Sequence, residues 1–369
     1  MQILITGGAG FIGSHLADDL IHHGHRVRAL DHLSPQVHGP DGARPAYLHE
    51  EVELLRGDVR DADAVRRALA GADAVFHLAA AVGVGQSMYE IEHYTSTNNL
   101  GTAVLLEALI QHPVERLVVA SSMSIYGEGL YAAPDGRHVG DAARTVEQLR
   151  RGDWEPRDRD GGILTPLPTP ETKTPSLASV YALSKFDQER MALMVGGAYN
   201  IPTVALRFFN VFGTRQSLSN PYTGVLAIFA SRLLNGNRPL IFEDGLQQRD
   251  FVSVYDVARA CRLALEAPGA PGRAINVGSG QGHPIRDVAD LLRLVLGKSI
   301  DADVCGKYRV GDIRHCTADI GVARDVLGYE PRVTLEDGLV ELSEWLREQA
   351  ADDRVAEANR ELAARGLTV

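Results

Sequence analysis

Gln2-Ile-Leu-Ile-Thr-Gly-Gly-Ala-Gly-Phe-Ile-Gly13 decides the fold. Ile3 to Ile5 is a short apolar run ending in a cluster of glycines, the pattern of a buried strand entering a tight turn. Ser14 to His23 then reads as a helix, with Ile12, Leu16 and Leu20 along one apolar face. Gly24 stands where a left-handed cap is wanted. Gly7, Gly10 and Gly13 are spaced G-x-x-G-x-x-G. One glycine makes the turn, one lets the backbone approach a pyrophosphate, and one lets the helix pack on the strand. The helix N-terminus offers N–H groups to the phosphates. An empty glycine turn is the plainer alternative, and the next strand argues against it. Arg26 to Leu30 ends at Asp31. That carboxylate can accept hydrogen bonds from both hydroxyls of an adenosine ribose and repels a 2′-phosphate, which favours NAD over NADP.

The chain has 369 residues, 45% hydrophobic and 23% charged, with a formal net charge of −11. That length allows a sizeable core and two domains. The acidic balance argues against nucleic acid and against an anionic membrane as partners, since both need a basic face. Cys261, Cys305 and Cys316 show no metal-type pairing, so no metal site is expected and a reduced, cytoplasmic protein is. His22, His23 and His25 read as a solvated turn rather than a metal site. A first strand starting at residue 2 leads us to expect no signal peptide, and no apolar run is long enough to span a bilayer.

Strand and helix signals alternate through the first half: strands at Val52–Leu55, Ala74–Ala80 and Leu117–Ser121, helices from Asp61 to Leu69 and from Tyr94 to Gln111. Repeated units of this kind predict a doubly wound parallel α/β sheet with right-handed crossovers. Asp58 can bond an adenine amino group or simply close a turn. The small end of Ala74–Ala80 lets a cofactor lie close. Residues 128–176 are rich in Gly, Pro, Asp and Arg, with one short helix expected over Asp141–Arg151. Such an insertion is either functional or disordered. Alternation returns from Thr203, with helices expected at Val225–Leu234, Asp256–Leu265, Ile285–Leu296, Asp319–Leu327 and from Leu335 onward. The pattern divides into a dinucleotide-binding domain over 1–207 and a smaller α/β substrate lobe over 208–369, with about 250–278 returning to the first domain. The tail from Ala350 to Gly366 reads as a charged surface or partner-packing helix.

Tyr181 and Lys185 lie four apart at the start of a helical run, hence on one face. A tyrosine with a pKa of about 10 is too weak a base at neutral pH. A lysine cation beside it, together with a positive nicotinamide, would lower it. Ser121 and Ser122 end a strand at the carboxyl edge, where doubly wound sheets place their sites. Ser122 can hydrogen-bond a reacting hydroxyl or merely satisfy the strand end.

With these residues in place, the chain resembles the extended short-chain dehydrogenase/reductases of the nucleotide-sugar epimerase/dehydratase family. The resemblance rests on Thr6–Gly13, Asp58-Val59, His77-Leu-Ala-Ala80, Asn98–Thr102, Ser121–Gly127, Tyr181 to Lys185, Arg207–Gly213, Arg249–Val252 and Gly311-Asp312, and spans nearly the whole length. It implies that Ser122, Tyr181 and Lys185 are catalytic, with Tyr181 as acid/base and Lys185 on the nicotinamide ribose. It implies NAD contacts from Gly7, Gly10, Phe11, Ile12, Gly13, Asp31, Asp58, Val59, Leu78, Ala79, Ala80, Asn98 and Ser121. Substrate contacts are implied for Ser122, Met123, Ser124, Asn210, Leu240, Phe242, Arg249, Arg309 and Asp312, with Asn210, Arg249 and Arg309 holding a sugar-nucleotide diphosphate. Arginine forks suit phosphate oxygens. The family's 4,6-dehydratases carry Asp-Glu directly after the catalytic residue; this chain has Met123-Ser124, which can neither protonate a leaving hydroxyl nor take a C5 proton. Ser122 and Tyr181 are 181 − 122 = 59 positions apart. That spacing places 128–176 between two catalytic residues and implies a lid over the sugar. The long insert and Arg309–Cys316 look most like the bacterial dTDP-L-rhamnose 4-epimerase branch. The expected activity is therefore NAD-dependent 4-epimerisation of a dTDP- or UDP-linked hexose by a homodimer, through the helices near Tyr94–Gln111 and Tyr181–Val195. A ketoreductase or dehydrogenase with net cofactor use, and a non-catalytic dinucleotide sensor, are the alternatives.

Overall fold

The computed structural model describes residues 1–222, 224–309 and 311–368. Its first layer is a seven-stranded parallel sheet. Strand β1 (Gln2–Thr6) leads into helix α1 (Phe11–His22), then β2 (Arg26–Asp31), β3 (Glu53–Arg56), α2 (Ala62–Leu69), β4 (Ala74–His77), α3 (Gly101–Gln111) and β5 (Arg116–Ser122). After the insertion come α4 (Val180–Tyr199), β6 (Thr203–Phe208), α5 (Val254–Glu266) and β7 (Ala274–Val277). The strand order is β7-β6-β5-β4-β1-β2-β3. The reversal falls between β1 and β4, in register Ile3↔Val27 on one side and Ile3↔Ala74 on the other. A ligand crevice opens at such a switch point.

The sheet is apolar on both faces because helices cover both. Ile3, Ile5, Phe76 and Val118 point into one core and Leu4, Val75, Leu117 and Val119 into the other, the two-residue period of a strand. α1 packs on α5, a helix more than two hundred residues later in the chain.

The second layer is a mixed sheet in the order Asn210–Phe212, Gln248–Ser253, His315–Ala318, Thr165–Thr169, Leu130–Ala132, His138–Val139. Its last three strands come from the insertion, which is therefore built into the lobe. Thr165–Thr169 runs parallel to His315–Ala318, with Ala318 opposite Thr169.

Several boundaries differ from the sequence reading. α1 begins at Phe11 rather than Ser14, because Gly10 is extended and acts as its N-cap. The helix expected over Asp141–Arg151 is only Val146–Arg150, since the Thr145 side chain caps it by accepting from the Gln148 N–H. The long helix starts at Ile91 and contains a wider turn over Thr95–Leu100 before α3. Such turns concentrate at functional sites. Among the described residues no helix is long and apolar enough to cross a membrane.

Candidate active site

A cavity of about 640 Å³ runs from the glycine turn, across the carboxyl ends of the strands, into the second layer. The first of its walls is the turn itself. Gly7 has φ +70°, and a Cβ there would lie 2.9 Å from the Ala79 nitrogen. A Cβ on Gly13 would sit 2.4 Å from the Gly7 oxygen, so α1 can approach β1 only through glycine. Gly10, Phe11 and Ile12 line the same space, and no side chain caps the helix start. At the end of β2 the Asp31 carboxylate accepts the Ala9 N–H at 3.1 Å and the Leu33 N–H at 2.9 Å, and it faces the cavity. This cradle, an uncapped helix start and a buried carboxylate fits a dinucleotide with a free ribose 2′-hydroxyl.

Val59, Leu78 and Ala79 continue the wall with Ala80. Asp58 also borders it, but both its oxygens are taken by the Arg60 side chain and one by the Arg60 N–H. Those bonds hold the carboxyl below its ordinary range, and they make Asp58 a turn residue first. Asn98 departs from expectation. It is fully buried and is not among the lining residues. Its amide exchanges bonds with Ala81, accepting the N–H at 2.7 Å and donating to the carbonyl at 3.0 Å, and donates to Ser184 Oγ at 2.9 Å. From the wider helical turn it thus ties Ala81 to Ser184 of α4.

The expected catalytic residues Ser122, Tyr181 and Lys185 come together where β5 meets α4. Ser122 ends β5, caps the turn Met123–Tyr126, and accepts the Ser124 hydroxyl at 2.9 Å. Tyr181 projects from the first turn of α4 and is hydrogen-bonded to Ser122. Ser179 starts this helix by accepting the Ala182 N–H at 3.1 Å. The Tyr181 N–H donates to Ser87 Oγ at 3.0 Å, which locks the helix start to the opposite loop. Burial pushes the Tyr181 phenol up, and the Ser122 hydrogen bond draws it partly back. The predicted lowering by Lys185 is not what the protein alone supplies. Lys185 is itself buried, which brings it down to about 7, and its ammonium donates to Gln188 Oε1 at 2.7 Å.

Behind Lys185 runs a buried polar row absent from the sequence reading. Gln188 donates to Thr102 Oγ1 at 2.8 Å, and His77 bridges Thr102 at 2.9 Å and Thr6 at 2.7 Å. Burial brings His77 down to about 3, so this row is neutral and fixes the lysine by hydrogen bonds alone. Gln188 lies three residues past Lys185, one turn along the same face; that spacing was the available signal. Ser121 donates to Glu189 at 2.7 Å, and Glu189 in turn holds Arg207 through two hydrogen bonds.

On the far side, Met123, Ser124, Asn210, Leu240, Phe242, Arg249, Arg309 and Asp312 all line the cavity. Val310, inside the Arg309–Cys316 motif, lies outside the described residues. Arg249 donates to Asp312 Oδ1 at 3.1 Å and to the carbonyls of Gln248, Ile313 and Arg314. Arg309 donates to the other Asp312 oxygen at 2.9 Å and lies over the Phe242 ring at 4.7 Å. Two arginines bring Asp312 down to about 2. The insertion contributes no lining residue among those described, so it is not a lid. It braces the wall from outside. Arg144 donates to Glu243, the neighbour of Phe242, at 2.7 Å and to the Asp312 carbonyl at 3.1 Å. Arg314, fully buried, binds Glu155, Glu243 and Asp244. Among the described residues no group of three or more His, Cys, Asp or Glu is placed to hold a metal ion.

The model of the NAD dependent epimerase/dehydratase family matches residues 3–145 and 162–278, and the break between the matches falls inside the insertion. A dTDP-L-rhamnose 4-epimerase of Burkholderia thailandensis is 37% identical, the match covering 94% of this chain and 95% of that protein. The crystal structure of a UDP-glucose 4-epimerase of Thermotoga maritima with UDP-glucose is similar at a TM-score of 0.76 and 31% identity, covering 94% of this chain and 99% of the other. A UDP-glucose 4-epimerase of Thermus thermophilus in complex with NAD matches at a TM-score of 0.75 and 31% identity, over 95% of this chain and 100% of that one.

Proposed function

The chain belongs to the NAD-dependent epimerase/dehydratase family and is an NAD-dependent enzyme, and from that premise we propose that it is a 4-epimerase of a nucleotide-linked hexose, specifically a dTDP-6-deoxyhexose such as dTDP-L-rhamnose. One observation carries the reading: the Tyr181–Ser122 pair opens onto the same cavity as the glycine turn and the Arg249–Asp312–Arg309 cluster.

In this reading Tyr181, as phenolate, takes the proton of the sugar 4-hydroxyl while Ser122 hydrogen-bonds the same oxygen. When bound, NAD supplies the hydride acceptor and donor at C4, and its ring charge favours the phenolate. Lys185, held by Gln188 one turn further along the helix from Tyr181, would meet the nicotinamide ribose. Arg249 and Arg309 hold the diphosphate while the sugar turns over between the two half-reactions. Tyr181 then returns its proton to the oxygen, and no net redox change results. Met123 and Ser124 bring no acid to the leaving hydroxyl, which favours epimerisation over dehydration. The dTDP-sugar assignment draws on the Burkholderia relative and on the lobe sequence; the UDP-sugar enzymes among the structural relatives make UDP-hexoses the second panel to test.

A homodimer belongs to the same reading. Leu183, Met194 and Tyr199 on α4 and Leu100 just before α3 are exposed apolar side chains on the two helices expected to pair.

The test is incubation of the purified protein with dTDP- and UDP-hexoses, following anomeric protons by NMR and reduced nicotinamide by absorbance. A new 4-epimer without net NADH is expected. Stoichiometric NADH with a keto product would replace the epimerase with a dehydrogenase. Tyr181→Phe is expected to lower kcat by about 10²- to 10⁴-fold with the NAD content of the protein unchanged; unchanged kcat would revive the sensor alternative.

A further inference from the structure

The tail that reads as a charged surface helix does something else. Helix α6 (Val355–Ala364) lays Val355, Ala358 and Leu362, spaced i, i+3 and i+7, toward the protein interior, and all three are buried. These residues, with Asn359 and Leu367, line the cavity that holds Tyr181.

Both ends of the segment are tied down. Before it, Asn235 donates to the Ala351 carbonyl at 2.7 Å, and Asp353 accepts from Arg232 at 3.2 Å and Asn237 at 2.6 Å. After it, Thr368 forms a strand bridge with Arg309, which lines the cavity. Between these anchors Arg365 lies over the Tyr89 ring at 4.4 Å. The segment thus starts on the lobe, crosses to the first domain, and ends at Arg309.

Its middle packs on the 83–87 loop that holds the start of α4. A Cβ on Gly85 would meet Leu362 Cδ2 at 3.2 Å. Two residues further, Ser87 donates to Val84 and accepts the Tyr181 N–H. Val82, Val84 and Tyr222 line the cavity around this loop. Here α6 itself offers the carbon of Val355, Ala358 and Leu362 with Asn359 as its one polar side chain, while Gln86, Asn220 and Tyr222 bring polar groups from the facing loops.

We infer that α6 is a specificity wall: the apolar face centred on Leu362 lies against the hexose and selects a sugar bearing a methyl group over one bearing a hydroxymethyl or carboxylate. The inference rests on the nucleotide-sugar reading of the cavity. The physical reason is desolvation. A hydroxyl pressed on Leu362 and Ala358 loses its water and finds no partner, whereas a methyl gains contact.

The test uses the full chain with its NAD, in the Tyr181→Phe background so that binding is read without turnover. Calorimetry compares dTDP-glucose, dTDP-6-deoxyglucose and dTDP alone. The 6-deoxy sugar should bind about tenfold more tightly than its hydroxylated twin. Leu362→Asn should shrink that ratio to below about threefold and leave dTDP affinity unchanged. Asn359→Leu, which keeps the wall packed, should widen it. Equal affinities for the two sugars overturn the inference, as does a Leu362→Asn chain that loses dTDP and both sugars alike. A preserved 6-deoxy preference in a protein whose unmodified form inverts neither sugar at C4 would uphold the wall and remove the epimerase reading instead.

Discussion

The cavity has two sides, and the balance of apolar packing and buried charge differs between them. The dinucleotide side hangs from a sheet whose strands are buried among Ile, Leu and Val, with contacts such as Gly13 on the Gly7 carbonyl set by backbone shape. The lobe side is braced by charge. Arg314 is wholly buried among Glu155, Glu243 and Asp244, and Arg144 joins Glu128 at 3.2 Å to Glu243 at 2.7 Å. A close-packed apolar side has one arrangement and resists displacement. A buried ionic side is costly to form, and its value lies in what happens when a partner is lost. The difference matches the two tasks. In the proposed reaction the cofactor is held unchanged through a redox-neutral cycle, while the lobe would grip a diphosphate and let a sugar turn.

The sharpest way to break this contrast is Arg314→Met. Three carboxylates would lose their shared cation, and unfolding stability should fall by about 3–5 kcal/mol. Denaturant melts measure it, with NAD content retained in whatever fraction folds. A variant as stable as the parent would mean that the junction is held by packing after all. Next is Gly13→Ala, which drives a Cβ into the Gly7 oxygen. A cost of about 1–3 kcal/mol is expected, together with loss of co-purifying NAD while dTDP binding to the lobe persists. Retained NAD would show that the turn relaxes, and the rigid half of the comparison would fail.

The smallest effect is in acid. Glu155 is held down to about 2, first by hydrogen bonding to His315, and Asp312 to about 2 by Arg309 and Arg249 once its burial is overcome. Both sit below their ordinary values, so the unfolded chain binds more protons, and their stabilisation is present near neutrality and lost as pH falls from about 4.5 to 2. The stability loss over that window should be shallower in Glu155→Gln than in the parent. An identical slope would remove Glu155 from the acid response.

Much of this was legible in the chain. The first strand, the glycine turn and Asp31 were readable because each is a local pattern of three to twelve residues whose geometry any environment must respect. Tyr181 and Lys185 were readable because helix spacing puts them on one face. That Asn98 is buried behind the cavity wall, bonded to Ala81 and Ser184, was not readable, because its place depends on a wider helical turn that no periodicity signals. The insertion, expected as a lid, became three strands of the lobe sheet because its partner strand, His315–Ala318, lies about 150 residues away.

What the sequence determined by itself, then, was backbone: the alternation of strands and helices, the turn that only glycine can make, and the residue types brought to the carboxyl edge. These follow from steric rules and from the burial of apolar faces, which act over a few residues at a time. Only the tertiary structure decided which charges share a partner, that Lys185 leans on Gln188, and that the tail folds back to wall the cavity. Ion pairs and walls join segments far apart in the chain, and a charged or apolar side chain carries no mark of which distant neighbour will take it out of water.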